Sequence, residues 1–321
     1  MPVAFNQDMK AIIPRPDVDS DYLLWWLTAH EVELLGVATE STHGTKCLPT
    51  DALQAVEVWL PPLHEQRQVA RALSDVDDLL VGLDRLIAKS RDLKQAAMQQ
   101  LLTGQTRLPG FSGEWPSRSL ADLFRFSGGH SASREQLSAV GHCYLHYGDI
   151  HGSSKTTVDV EADYEDIPKL VIGLGSISKE SLLIDGDVVF VDASEDVAGT
   201  SRHVVVVNKL NRPFIAGLHT IVAKAITSDL LPEYLRFCFQ THATREQFRF
   251  YAVGTKVSGI SKSNIGKLML CVPHREEQAA IASVLADIDA ELAALEARRD
   301  KTRDLRQAMM QELLTGRTRL V

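Results

Sequence analysis

The chain is poor in the features that mark several large classes of protein. Its four cysteines, Cys47, Cys143, Cys238 and Cys271, lie far apart and form no Cys-x-x-Cys pair. Neither a zinc ribbon nor a disulfide framework is expected, and all four read as buried free thiols. No apolar run approaches the roughly 20 residues that a spanning helix needs. The first residues, Met1-Pro2-Val3-Ala4-Phe5-Asn6-Gln7-Asp8, lack the basic start and the apolar stretch of a secretory signal. The expectation is a cytoplasmic protein with no membrane partner. Positive charge is not in excess either. The formal net charge of −8 argues against bulk coating of nucleic acid and leaves room for a local basic face.

Catalytic signatures are missing too. No Gly-x-x-x-x-Gly-Lys-Ser/Thr phosphate loop occurs, and Gly173-Leu174-Gly175 lacks the third glycine of a dinucleotide fingerprint. A DNA amino-methyltransferase would carry Asn/Asp-Pro-Pro-aromatic in its catalytic loop. The one Pro-Pro pair here, in Leu60-Pro61-Pro62-Leu63, introduces a helix. His142 and His146 stand four apart in a segment that reads as strand, with no third ligand in view. Asp185, Asp187 and Asp192 have no lysine at a nuclease-like spacing, and Gly186 makes a turn the plainer reading. No catalytic residue, metal or cofactor is expected.

What is present is an ordinary globular composition, 45% hydrophobic and 24% charged, in 321 residues organised by an internal repeat. Residues 61–108 match 273–320 without a gap at a constant offset of 212, and about half the positions are identical. Glu65-Gln66 pairs with Glu277-Gln278, Asp75 and Asp77 with Asp287 and Asp289, and Leu101-Leu102-Thr103-Gly104 with Leu313-Leu314-Thr315-Gly316. Both copies read as long helices, entered after a proline and closed at Thr-Gly. Val69, Leu73, Val76, Leu80, Leu83 and Ile87 are spaced by four and three, the seam of a coiled coil, as are Ile281, Leu285, Ile288, Leu292 and Leu295. Two such seams on helices of equal length predict that the helices pack on each other. The offset also extends backwards, matching Tyr22-Leu23 with Tyr234-Leu235 and Val3-Ala4 with Ile215-Ala216.

The repeat divides the chain into a first globular segment at 1–60, a long helix at 61–104, a middle domain at 105–272, a second long helix at 273–316 and a tail at 317–321. Strands are expected at 144–147, 187–191, 203–207 and 220–223, and helices at 231–241 and 262–267, so the middle domain is mixed α/β. Three of its segments combine glycine with long polar side chains. The run Arg245-Glu246-Gln247-Phe248-Arg249-Phe250-Tyr251 interleaves cations with aromatics before the loop Gly254-Thr255-Lys256-Val257-Ser258-Gly259. It suits phosphate and base contacts, or else a solvated helix face followed by a surface loop. The stretch Ser127-Gly128-Gly129-His130-Ser131-Ala132-Ser133-Arg134 is a second candidate, or a linker between strands. The third, Tyr147-Gly148-Asp149-Ile150-His151-Gly152, ends a strand at a groove or forms an ordinary turn.

Together these residues resemble the specificity (S) subunits of type I restriction-modification systems. The likeness rests on Leu60-Pro61-Pro62-Leu63-His64-Glu65-Gln66 before a long helix and on Gln99-Gln100-Leu101-Leu102-Thr103-Gly104 at its end. Tyr147-Gly148-Asp149-Ile150, Gly186-Asp187-Val188-Val189-Phe190, Phe214-Ile215-Ala216-Gly217 and Ile260-Ser261-Lys262 extend it over nearly the whole chain. The resemblance implies a mixed α/β target recognition domain plus two long helices packed as an antiparallel coiled coil. It implies a non-catalytic subunit that binds double-stranded DNA, reads a half-site with the middle domain, and recruits methyltransferase (M) and restriction (R) subunits. By the same resemblance, 1–60 corresponds to the C-terminal part of a first target recognition domain. Arg134, Tyr147, Lys256, Ser258 and Lys262 are the residues expected to face DNA. Two other readings stay open: a coiled-coil interaction scaffold without DNA specificity, and a half-subunit that joins a second S fragment to rebuild a symmetric reader.

Overall fold

The computed structural model describes residues 9–40, 46–153, 155–194, 199, 202–254 and 258–320. It divides into two compact units, 1–91 with 290–321, and 92–289. The long helices, Leu63–Leu101 and Arg275–Leu313, have 39 residues each, and their ends keep the offset of the sequence repeat. At 1.5 Å per residue each is roughly 58 Å long. Prolines at their entrances block extension backwards. Gly104 at φ +73° and Gly316 at φ +72° turn the chain left-handed at their exits. A Cβ on Gly316 would stand only 2.6 Å from the Trp59 ring, so packing as well as backbone selects glycine there, whereas at Gly104 a Cβ would meet the Trp115 ring at an ordinary 3.4 Å and the backbone alone decides.

In the first unit, the helix Ser20–Ala29 is capped by Asp19, whose carboxylate accepts the N–H groups of Asp21 and Tyr22. Short helices Glu31–Gly36 and Thr50–Gln54 and the hairpin Thr39–Glu40 with Lys46–Cys47 complete its globular part. Tyr22 and Trp26 pack with Val69, Ala70 and Leu73 of the first long helix, with Leu313 at the end of the second and with Leu314 just after it. Ion pairs join Glu65 to Arg319, Asp77 to Arg306, Asp84 to Arg299 and Arg91 to Glu296. Numbers rise on one side as they fall on the other, so the helices run antiparallel. The seam is buried at Val69, Leu73, Leu80, Leu83 and Ile87. Burying side chains of this size stabilises by about 1.5–3 kcal/mol apiece.

The second unit holds a five-stranded sheet in the order Phe124–Gly128, Thr220–Ala225, Val188–Val191, His203–Val207, Thr157–Asp159, antiparallel except for its last pair. A four-stranded sheet runs Phe214–Ala216, His142–Leu145, Lys169–Leu170, Leu137–Ser138. The five-stranded sheet is rich in β-branched and aromatic residues, which suit a pleated surface. The helices Pro232–Cys238 and His242–Tyr251 belong to a core in which Phe239 and Phe248 lie against Phe190. Met98 and Leu101 of the first long helix, with Leu102 just after it, meet Ile281, Ala282 and Leu285 of the second in that core, again antiparallel, with Lys94 paired to Asp289. The mixed α/β architecture with two packed long helices agrees with expectation.

Two expectations need correction. Only Cys143 and Cys238 are buried, and burial pushes both thiols up from their ordinary range. Cys271 is exposed because it alternates outward on the short strand Met269–Cys271, and Cys47 is exposed on the hairpin. The strand expected at 144–147 spans His142–Leu145 instead. His146 turns the chain by accepting the Gly148 N–H on Nδ1 at 3.0 Å, and Tyr147 opens the helix Tyr147–His151.

Candidate nucleic-acid interface

Three loop segments of the second unit meet at one rim, and hydrogen bonds between them fix it. Gly129 lies so close to Gly217 that a Cβ would stand 1.8 Å from the Gly217 carbonyl oxygen. The His130 N–H donates to Ala216 O at 2.7 Å. The fully buried Tyr144 hydroxyl donates to His130 O at 2.8 Å and accepts the Leu218 N–H at 3.1 Å, tying the 129–134 loop to the 217–219 turn. Asp192 links that turn to the third segment: its N–H donates to His219 O at 3.2 Å, and its carbonyl accepts the Ile260 N–H at 2.8 Å.

On this frame Arg134 begins a short 3₁₀ turn, Arg134–Gln136, held by a capping box between Ser133 and Gln136. Its guanidinium is mostly exposed and stands 3.2 Å from His146 Nδ1 and 3.5 Å from Asp149 Oδ1. Burial and the neighbouring Arg134 charge hold the His146 imidazole below its ordinary pKa, so it stays neutral and serves as an acceptor. Tyr147 is exposed beside it, with its ring edge-on to His219 at 5.5 Å. Lys262 is exposed at the start of the helix Lys262–Ile265, capped by Ser261. Its Nζ reaches the end of the strand Phe124–Gly128, 3.6 Å from where a Gly128 Cβ would stand.

The structure therefore brings Arg134, Tyr147 and Lys262 to one rim. Ser258 has a different setting. It lies in the short strand Ser258–Gly259, paired with Ala193–Ser194, and is 7% exposed, where a flexible polar loop was expected. Lys256 lies outside the described residues. The basic-aromatic run forms the helix His242–Tyr251, which buries Phe248 and leaves Phe250 80% exposed. Next to the rim, Arg202, Arg245 and Lys155 line a cleft of about 430 Å³ floored by Ile150 and Phe239.

The acids singled out in the sequence do not converge on a metal site. Asp185 pairs with Lys209, and the buried Asp187 pairs with Lys224; burial pushes the Asp187 carboxyl up. Asp192 faces His219. Among the described residues no group of three metal-ligating side chains occurs. His219 is the rim residue that the sequence reading missed. The available signal was its place two residues after Phe214-Ile215-Ala216-Gly217.

Fold and site together describe a mixed α/β unit with an exposed, partly basic loop rim, in a chain that also carries two long packed helices. The profile of the type I restriction modification DNA specificity domain matches residues 1–88 and 112–302, and the chain belongs to that family. Its members include specificity subunits, the non-catalytic components of type I restriction systems. The type I restriction enzyme MjaVIII specificity subunit of Methanocaldococcus jannaschii is 23% identical over 334 residues, covering 94% of this chain and 71% of its own. The S subunit of a type I restriction-modification system from M. genitalium superimposes with a TM-score of 0.59 at 13% identity, over 93% of this chain and 73% of its own. A chain from a structure of type I R-M complex assembly and conformational transition gives 0.52 at 18% identity, over 92% and 68%. Both show the fold. Among the described residues no helix is long and apolar enough to cross a membrane.

Proposed function

We propose that the chain is the DNA-specificity subunit of a type I restriction-modification complex, and that its second unit reads one half-site of double-stranded DNA. The observation that carries this reading is the convergence of the three loops on one rim, cross-linked by Tyr144 and Asp192, with Arg134, Tyr147 and Lys262 at its surface. Lys256 joins the proposed set as a phosphate-binding cation, and Ser258 as a residue of the strand Ser258–Gly259. A lysine ammonium suits phosphates, while a planar guanidinium or a phenol suits base edges. In this reading the middle domain, 105–272, recognises DNA, the helices at 61–104 and 273–316 set spacing, and M and R subunits supply methylation and cleavage in the cytoplasm. The segment 1–60 then belongs to a first recognition domain, and a second S fragment is a further partner in this reading.

The test is a complex reconstituted with the cognate M subunit, titrated with specific and random duplexes across salt. Lys262→Ala should weaken binding to both duplexes alike and reduce the salt slope by about one. Arg134→Ala should change sequence preference by about 1–3 kcal/mol at one position. If both variants bind both duplexes as the parent does at every salt concentration, the rim is not the reading surface.

A further inference from the structure

The rim holds one residue whose backbone conformation is unfavourable. His219 has φ +60°, a left-handed conformation shared among the described non-glycine residues only by Asn211. Such a conformation persists where the surroundings hold it, and such sites tend to be functional. Here the holding contacts are explicit. Leu218 N–H donates to the Tyr144 hydroxyl at 3.1 Å, Asp192 N–H donates to His219 O at 3.2 Å, and the Thr220 hydroxyl donates to Gly217 O at 2.6 Å. The turn so fixed presents an imidazole that is 52% exposed, between the edge of the Tyr147 ring and the carboxylate of Asp192.

The carboxylate gives that imidazole a direction. Asp192 Oδ1 stands 3.4 Å from His219 Nδ1, and this oxygen is buried without a hydrogen bond from any described residue. An ionised carboxylate only accepts, so it favours the tautomer with the proton on Nδ1. Nε2, on the far side of the ring, then offers a lone pair. The other long side chains of the rim offer mainly donors: Arg134 and Lys262 have no acceptor, and the Asp149 carboxylate faces Arg134. In the major groove the base-edge donors are the exocyclic amino groups, while guanine and thymine present acceptors there.

We propose that His219, oriented by Asp192, is a specificity-determining residue that accepts a hydrogen bond from an exocyclic amino group, adenine N6 or cytosine N4, in the major groove of the bound half-site. This rests on the DNA-reading function proposed above. Asp192 is a positioning residue: its side chain sets the tautomer, while its backbone carries the structural hydrogen bonds.

The experiment uses the full chain with its M subunit, and specific duplexes in which one adenine at a time is replaced by purine, or one cytosine by 2-pyrimidinone. Each replacement removes the amino group alone. The parent should lose about 5- to 150-fold in affinity at one position. His219→Ala, which removes the ring and its acceptor, should show no loss at that position. His219→Gly, which relieves the backbone, should behave likewise with an unlowered melting temperature. Asp192→Asn donates to Nδ1, moves the proton to Nε2 and should abolish the same dependence with the imidazole still in place. If all three variants remain as sensitive as the parent at every position, the role of His219 is overturned, while DNA reading by the rim stands or falls on Arg134→Ala and Lys262→Ala. A parent without any sequence preference overturns both.

Discussion

The two units share their joints and differ in what those joints carry. In the first, Gln66 accepts the Asp19 N–H at 2.8 Å and donates to Asp17 O and Pro61 O at 3.0 and 2.8 Å. In the second, Gln278 accepts the Leu231 N–H at 2.9 Å and donates to Asp229 O and Pro273 O at 2.7 and 2.8 Å. Every partner obeys the sequence offset. The carboxylates beside them repeat the pattern: Arg319 closes on Glu65, and Arg107 on Glu277. Around this common joint the surfaces part. Phe239 and Phe248 are buried in the second unit's core, whereas the positions that match them in the first are Leu27, partly buried, and Gly36, exposed. What repeats is the means of joining a globular part to a helix end, and what varies is the globular part.

The sharpest way to break this comparison is to remove the glutamines. Gln66 is 1% and Gln278 0% exposed, and truncation to alanine leaves one backbone donor and two carbonyls without their partner. Each buried group left unmade costs about 1–3 kcal/mol, so either Gln→Ala change should destabilise by about 2–4 kcal/mol once partial rehydration is allowed for. Urea unfolding of the two variants measures it. Equal losses mean equivalent joints. A loss in one alone means that the offset in sequence is not an equivalence in energy.

A smaller effect separates the two carboxylates. Glu277 also accepts the Trp115 indole N–H at 3.0 Å in addition to Arg107, so Glu277→Gln should lower the melting temperature more than Glu65→Gln. The hydrogen bonds from Arg319 hold the Glu65 carboxyl below its ordinary pKa. A depressed folded-state pKa stabilises above the unfolded carboxylate pKa, and the contribution is lost as pH falls through the folded value. The gap in melting temperature between the parent and Glu65→Gln should therefore be widest near neutral pH and close in acid. A gap that stays constant down to strongly acid pH would show that the ionised clasp contributes nothing.

The long helices were visible in the sequence because their signals are local. Proline at entry, Thr-Gly at exit and a seam spaced by four and three need no distant partner, and the helices began and ended near where those signals stand. The strand His203–Val207 was equally plain, being a β-branched run. The rim was legible only in part. Arg134, Tyr147 and Lys262 were visible as long polar side chains beside glycines. That His219 meets Tyr147 depends on the Tyr144 hydroxyl joining two turns 88 residues apart, from His130 to Leu218. Ser258 was misjudged as loop because its partner strand, Ala193–Ser194, is only two residues long and carries no pattern of its own. The bend at His146 depends on one imidazole accepting one backbone N–H, which alternation of residue types does not encode.

The finest difference between the units is a single hydroxyl. Tyr22 and Tyr234 occupy matching positions, both 0% exposed. The Tyr22 hydroxyl donates to Trp59 O at 2.8 Å, and burial, helped by the Glu65 charge, pushes its pKa up to about 12. The Tyr234 hydroxyl is buried without a hydrogen-bond partner among the described residues. A hydrogen bond of this kind contributes about 1 kcal/mol net, whereas a buried hydroxyl that makes none carries a desolvation cost and returns nothing. Tyr22→Phe should therefore destabilise by about 1 kcal/mol, and Tyr234→Phe should leave stability unchanged or raise it slightly. Chemical denaturation of the two variants side by side reads this directly. An equal loss in both would mean that Tyr234 has found an acceptor in solution, and that the two joints are more alike than their hydroxyls suggest.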